Sequence, residues 1–137
     1  VIYESIDSNK NQYTITSKVS EFDEKLTNII LMETVEAKII FNNGTAATLV
    51  SKNAIYDTLT NNTEFFNNVS LNYLSHNINC NNIDIFFDQN RLEAYNDLVY
   101  RNLDVSIIAD KADLDLINKN TKIYMLDNSQ VKILKSN

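Results

Sequence analysis

A motif that returns at a fixed interval limits the possible folds more than any other feature of this chain. Leu49-Val-Ser51-Lys-Asn-Ala54-Ile-Tyr56-Asp57 lines up with Ile78-Asn-Cys80-Asn-Asn-Ile83-Asp-Ile85-Phe86, and both line up with Ile107-Ile-Ala109-Asp-Lys-Ala112-Asp-Leu114-Asp115. Ser51, Cys80 and Ala109 stand 29 residues apart. In the same register Thr63 matches Leu92 and Thr121, and Phe65 matches Ala94 and Ile123. A looser first copy lies at Ile15-Thr-Ser17-Lys-Val-Ser-Glu-Phe22-Asp23, at a longer spacing. Each copy reads as an incoming strand, a small-residue bend, a second strand, a polar turn and a third strand. One such unit cannot bury its apolar face, whereas stacked units share a continuous core.

Within the copies the side chains alternate with a period of two, as in strands covered on one face. Tyr13, Ile15, Ser17 and Val19 alternate with polar residues, and Val35, Ala37, Ile39 and Phe41 with Glu36 and Lys38. Val69, Leu71 and Tyr73, then Leu98 and Tyr100, and finally Val131 and Ile133 continue the pattern. The best helical window is residues 20–31, where Phe22, Leu26 and Ile29 fall at i, i+4 and i+7, but its neighbours read as strand. Proline is absent and Gly44 is the single glycine, so the bends fall to asparagine, which tolerates the left-handed backbone. The expected fold is all-β: a twisted jellyroll of stacked antiparallel strands, open at both ends, with a short β-solenoid as the alternative. A length of 137 residues fits one domain, 1–137.

The net charge of −6 argues against nucleic acid and against an anionic membrane surface. Cys80 is the single cysteine, which rules out an intramolecular disulfide and a cysteine-based metal cage. His76, the single histidine, lies four residues from Cys80, about 13 Å along a strand and too far for a thiol–imidazole pair. The carboxylate pairs Asp84/Asp88 and Asp113/Asp115 read as solvated surface on outward faces or in turns. With neither a phosphate-cradling glycine loop nor a nucleophile elbow, an enzyme is not expected. No run reaches the roughly 18 apolar residues of a spanning helix. The start at Val1 without a methionine leads us to expect that an upstream piece has been removed.

The repeated units resemble those of the LptA/LptC/OstA-like family. There a strand ending in small residue–Asp/Asn–x–Ala–x–Tyr–Asp leads through a polar turn to a strand containing Gly-Asn-Val. Here the motif reads Ser51-Lys-Asn-Ala54-Ile-Tyr56-Asp57, then Asn61-Asn-Thr-Glu-Phe65-Phe-Asn67-Asn68-Val69. It returns as Ala109-Asp110-Lys111-Ala112-Asp-Leu114-Asp115, followed by Lys122-Ile-Tyr124-Met125. Tyr13-Thr-Ile15-Thr-Ser17-Lys18 is similar to the first strand of the LptC branch, and Glu33-Thr-Val35-Glu-Ala37-Lys-Ile39 to its second strand pair. The family's glycines are missing, and Asn67 stands where the family often has one. The resemblance implies a periplasmic jellyroll whose apolar interior accepts acyl chains, held at the inner membrane by one helix upstream of Val1. It implies transport of lipopolysaccharide, received from the ABC transporter LptB/LptF/LptG and passed to LptA, with no cofactor of its own. An LptA-like soluble bridge and a structural β-solenoid module are the alternatives.

Alternation assigns the interior face. The expected groove lining is Ile15, Phe41, Leu49, Tyr56, Phe65, Leu71, Tyr73, Ile78, Ile85, Phe87, Leu98, Tyr100, Ile107, Leu114, Ile123 and Met125. Unpaired strand edges recruit further strands. The expected docking edges are residues 13–19, with Tyr13, Ile15 and Val19, and residues 122–134, with Val131, Lys132 and Ile133. The basic tip, residues 131–137 with Lys132 and Lys135, reads either as a solvated tail or as an LptA contact.

Overall fold

The computed structural model describes residues 2–115, 121–124 and 132–135. They form one antiparallel sheet of ten strands: β1 (Ile2–Ile6), β2 (Gln12–Phe22), β3 (Ile29–Ile40), β4 (Ala46–Asp57), β5 (Thr63–Tyr73), β6 (His76–Phe86), β7 (Arg91–Asn102), β8 (Val105–Asp115), β9 (Thr121–Tyr124) and β10 (Lys132–Lys135). β1 to β8 follow one another in chain order, and β9 and β10 both pair with β8. The all-β reading and the jellyroll class hold. The helical window at residues 20–31 instead ends β2, turns and begins β3. Asp23 Oδ1 accepts the amides of Lys25 and Leu26 there, both at 2.9 Å.

The 29-residue repeat is two strands long, so equivalent residues lie in straight rows across the sheet. Ile30, Tyr56, Thr63, Ile85, Leu92, Leu114 and Thr121 are successive cross-strand partners. Buried and exposed positions alternate along β3 to β7, and the buried ones form a single apolar core.

A strand of 12 residues is about 40 Å long when straight. These strands instead break register in the middle. Asn67 and Asn68 of β5 oppose Asn81 of β6, and Asn96 and Asp97 of β7 oppose Asp110 of β8. Such extra residues bend a strand and increase its twist. All four have positive φ, 66° and 54° in β5 and 66° and 55° in β7. Asn and Asp are the non-glycine residues that accept this conformation most readily, so the missing glycines do not blunt the bend. The amide of Asn67 donates to Asn53 Oδ1 at 2.9 Å, and that of Asn96 to Asn82 Oδ1 at 2.8 Å.

On the inner side of this crease sit the small residues of the repeat, Ser51, Cys80 and Ala109, all buried. Ser51 Oγ donates to the carbonyl of Asn53 at 2.9 Å, and the Cys80 thiol to that of Asn82 at 3.2 Å. The crease folds the sheet into two facing layers. Tyr13 lies in the row of Ile39, Ala47 and Tyr73, three strands over and ten residues along β5 from Thr63. That is roughly 35 Å in a flat sheet, yet the hydroxyls of Tyr13 and Thr63 are 2.9 Å apart.

Candidate functional site

The two layers meet closely at the β1–β4 side. The buried Tyr13 bonds Thr63 and stacks on Phe87 with 5.2 Å between ring centroids. Burial pushes its phenol far above the ordinary value. Tyr3 of β1 packs on Tyr56 of β4 at 5.1 Å. These pairs close the interior like a hem.

Elsewhere between β3 and β8 the layers part and enclose a cavity of about 250 Å³. One wall is Ile39, Phe41, Ala47, Leu71 and Ile78, and the facing wall is Leu92 and Leu114. A string of rings borders it. Phe41 meets Tyr73 edge-on at 5.5 Å, Tyr73 stacks with His76 at 6.4 Å, and His76 lies 5.7 Å from Tyr100. His76 Nδ1 and the Tyr100 hydroxyl are hydrogen-bonded, and burial raises the Tyr100 phenol. Asp115 completes the border. The chamber is apolar inside with hydrogen-bonding groups at its lip, the arrangement that takes an amphiphile tail first.

The expected lining residues divide into three groups. Phe41, Leu71, Tyr73, Ile78, Tyr100 and Leu114 border the cavity. Ile15, Leu49, Tyr56, Phe65, Ile85, Phe87 and Leu98 are buried in the packed core and do not line it. Ile107 is half-buried on β8. Ile123 is known here by its backbone pairing with Ala112, and Met125 lies outside the described residues. Ile39, Ala47, Leu92, His76 and Asp115 border the cavity without having been assigned to it. Alternation pointed to Ile39, to Ala47 two residues before Leu49 and to His76 two before Ile78, and the repeat register to Leu92; for Asp115, out of phase beside Leu114, no sequence signal did.

The first docking edge needs correction; the second falls on β10, the last strand in the sheet order. Tyr13 and Ile15 are not on an edge, because β1 pairs with residues 12–16 of β2. The physical cause is the turn before β2: Asp7 Oδ1 accepts the amides of Asn9 (2.9 Å) and Asn11 (2.8 Å), which reverses the chain onto itself. Val19 lies beyond the end of β1, half exposed, with β3 as its strand neighbour. On the far side Lys132 and Ile133 pair with Ile108 and Ile107, while Val131 lies outside the described residues.

The residues weighed for catalysis are occupied otherwise. Burial pushes the Cys80 thiol up to about 11, which keeps it protonated. Asp88 is exposed, but Asp84 departs from the expectation of a solvated carboxylate. It is half-buried on the outer face, accepts the Tyr95 hydroxyl at 2.9 Å, and is raised by desolvation. No group of metal-ligating side chains occurs among the described residues, and no helix among them is long and apolar enough to cross a membrane.

Fold and cavity together define a class: a creased antiparallel jellyroll with an apolar chamber between its layers. No family model matches the chain, and no curated protein matches it. Among solved structures it is similar to LptH, the LptA-homologous periplasmic component of the conserved lipopolysaccharide transport device from Pseudomonas aeruginosa. The TM-score is 0.67 at 11% identity, over 89% of this chain and 93% of that one. The likeness is one of fold.

Proposed function

We propose that this chain is a non-enzymatic carrier of lipopolysaccharide in the periplasm, holding acyl chains between its layers and handing them on. The observation that carries the reading is the 250 Å³ apolar cavity between Phe41, Leu71 and Ile78 on one layer and Leu92 and Leu114 on the other. The fold shared with a periplasmic transport component supports it. Each methylene taken from water contributes about 0.8 kcal/mol, so one inserted chain gives useful affinity without a specific polar contact. The net charge of −6 gives no long-range hold on lipid phosphates, which suits a relay.

Within this reading we favour the LptC role, in which an inner-membrane-anchored domain receives lipid from LptB/LptF/LptG and passes it to LptA. The strand similarity at Tyr13–Lys18 and Glu33–Ile39 supports it. The fold neighbour is an LptA homologue, which keeps the soluble-bridge role as the second reading. Photocrosslinking in cells tests the carrier function, with the probe at Tyr73 on the cavity border and a control at the exposed, outward Lys52. Lipopolysaccharide adducts at Tyr73 that require transporter ATP hydrolysis are expected. Equal adducts at both positions, or none at Tyr73 in the folded protein, contradict it. The partner crosslinked at the β8–β10 side separates the two roles.

A further inference from the structure

The outer face of the second layer carries a groove of about 1010 Å³ that the carrier function does not use. Outward positions of a one-sided sheet are normally polar. Here Phe66 and Tyr95 stand on this face, 29 residues apart, and the sequence repeats an aromatic at Tyr124, known by its backbone pairing alone. The register sets them in one row with a polar residue between each: Phe66 opposite Asn82, Asn82 opposite Tyr95, Tyr95 opposite Lys111, Lys111 opposite Tyr124. Aromatic positions two strands apart repeat at about 9.5 Å. Phe66 and Tyr95 are half-buried in the groove wall, and Asn67, Asn82 and Asn96 stand beside them.

The Tyr95 hydroxyl is tied to Asp84, which fixes the ring plane. The Asn82 and Asn96 amides hold each other through one N–H and one carbonyl lone pair. An amide has two donors and two acceptor sites, so this bond leaves donors and acceptors of the pair for a ligand. Flat apolar ring faces alternating with planar amides match a pyranose chain, which offers an apolar C–H face and a belt of hydroxyls. Carboxylates outnumber cations in the groove, with Glu64, Asp84, Glu93, Asp97 and Asp110 against Lys111, which is itself 3.4 Å from Glu93. That balance repels a polyanion.

We propose that this outer row is a binding strip for a linear, uncharged glycan, distinct from the interior cavity. The test is an amide NMR titration of the whole chain with chitohexaose and with maltohexaose, and with dextran sulfate as the anionic counterpart. One of the two neutral oligosaccharides is expected to bind at about 1 mM or tighter, shifting amides of the row from Phe66 to Lys111. Tyr95→Ala and Phe66→Ala should each weaken binding by roughly tenfold or more, while Tyr95→Phe retains most of it. Both side chains are half-buried and Tyr95 bonds Asp84, so thermal unfolding of each variant is followed in parallel. Should a variant unfold, the map of shifted amides on the parent protein decides by itself. No binding of either neutral probe, binding of dextran sulfate alone, or shifts confined to the cavity border overturns the proposal. Ala47→Leu, which fills the interior, should leave glycan binding unchanged, so this site and the acyl site fail independently.

Discussion

Thr34 is held at φ 55° on the exposed side of β3, in line with the crease. A β-branched residue is poorly suited to that conformation, and the left-handed region costs an ordinary residue roughly 1–2 kcal/mol. Asn occupies the same conformation at 67, 68 and 96. Thr34→Asn is therefore expected to stabilise the protein by about 0.5–1 kcal/mol, read as a higher urea midpoint with an unchanged slope. Asp84 gives a second test. Its carboxyl is raised, first by desolvation and then opposed by the Tyr95 bond, so the folded state binds its proton more tightly than the unfolded one. Its contribution is thus favourable below the folded value and is lost as pH rises through it. Asp84→Asn should raise Tm at pH 7 and leave it unchanged at pH 3, where the carboxyl is protonated in both states. A larger gain at pH 3 than at pH 7 would contradict this sign.

The crease depends on small side chains where the layers come closest. Ala109→Leu places three extra carbons at a position that is 4% exposed, and overpacking of this kind typically costs about 1–3 kcal/mol. Val50→Leu, which adds one carbon at an outward position that is 46% exposed, is expected to cost much less. At β1, Asp7→Ala removes two bonds to backbone amides, a loss of about 1–2 kcal/mol that hydrogen exchange should localise to β1 and the first half of β2. The crease was legible in the sequence because Ser51, Cys80 and Ala109 repeat at one spacing and Asn67 replaces a glycine. The inner face was legible because strands alternate, which is why Ile15, Phe65 and Leu98 proved buried. β1 was not, since Ile2–Ile6 lies outside the repeat and its pairing depends on one Asx turn. The division of the inner face into packed core and open cavity was not legible either. It is set by pairs such as Tyr13 and Thr63, 50 residues apart, and no local period encodes the separation of two layers.

For the molecule as a whole, the aromatic hem and the cavity beside it make one creased sheet into a two-layered holder. The Tyr13–Thr63 and Tyr3–Tyr56 contacts mark where the layers close, and the cavity bordered by Leu71, Ile78, Leu92 and Leu114 marks where they part. The central claim is that the cavity holds an acyl chain. Ala47 borders it and is small, so Ala47→Leu fills the space with little disturbance elsewhere. The direct measurement is the affinity of the purified chain for lipopolysaccharide, parent against Ala47→Leu, with unfolding followed in parallel. The expected result is binding weakened by roughly tenfold or more, about 1.4 kcal/mol, at equal or greater stability. Undiminished binding by a folded Ala47→Leu protein would place the lipid elsewhere and contradict the account.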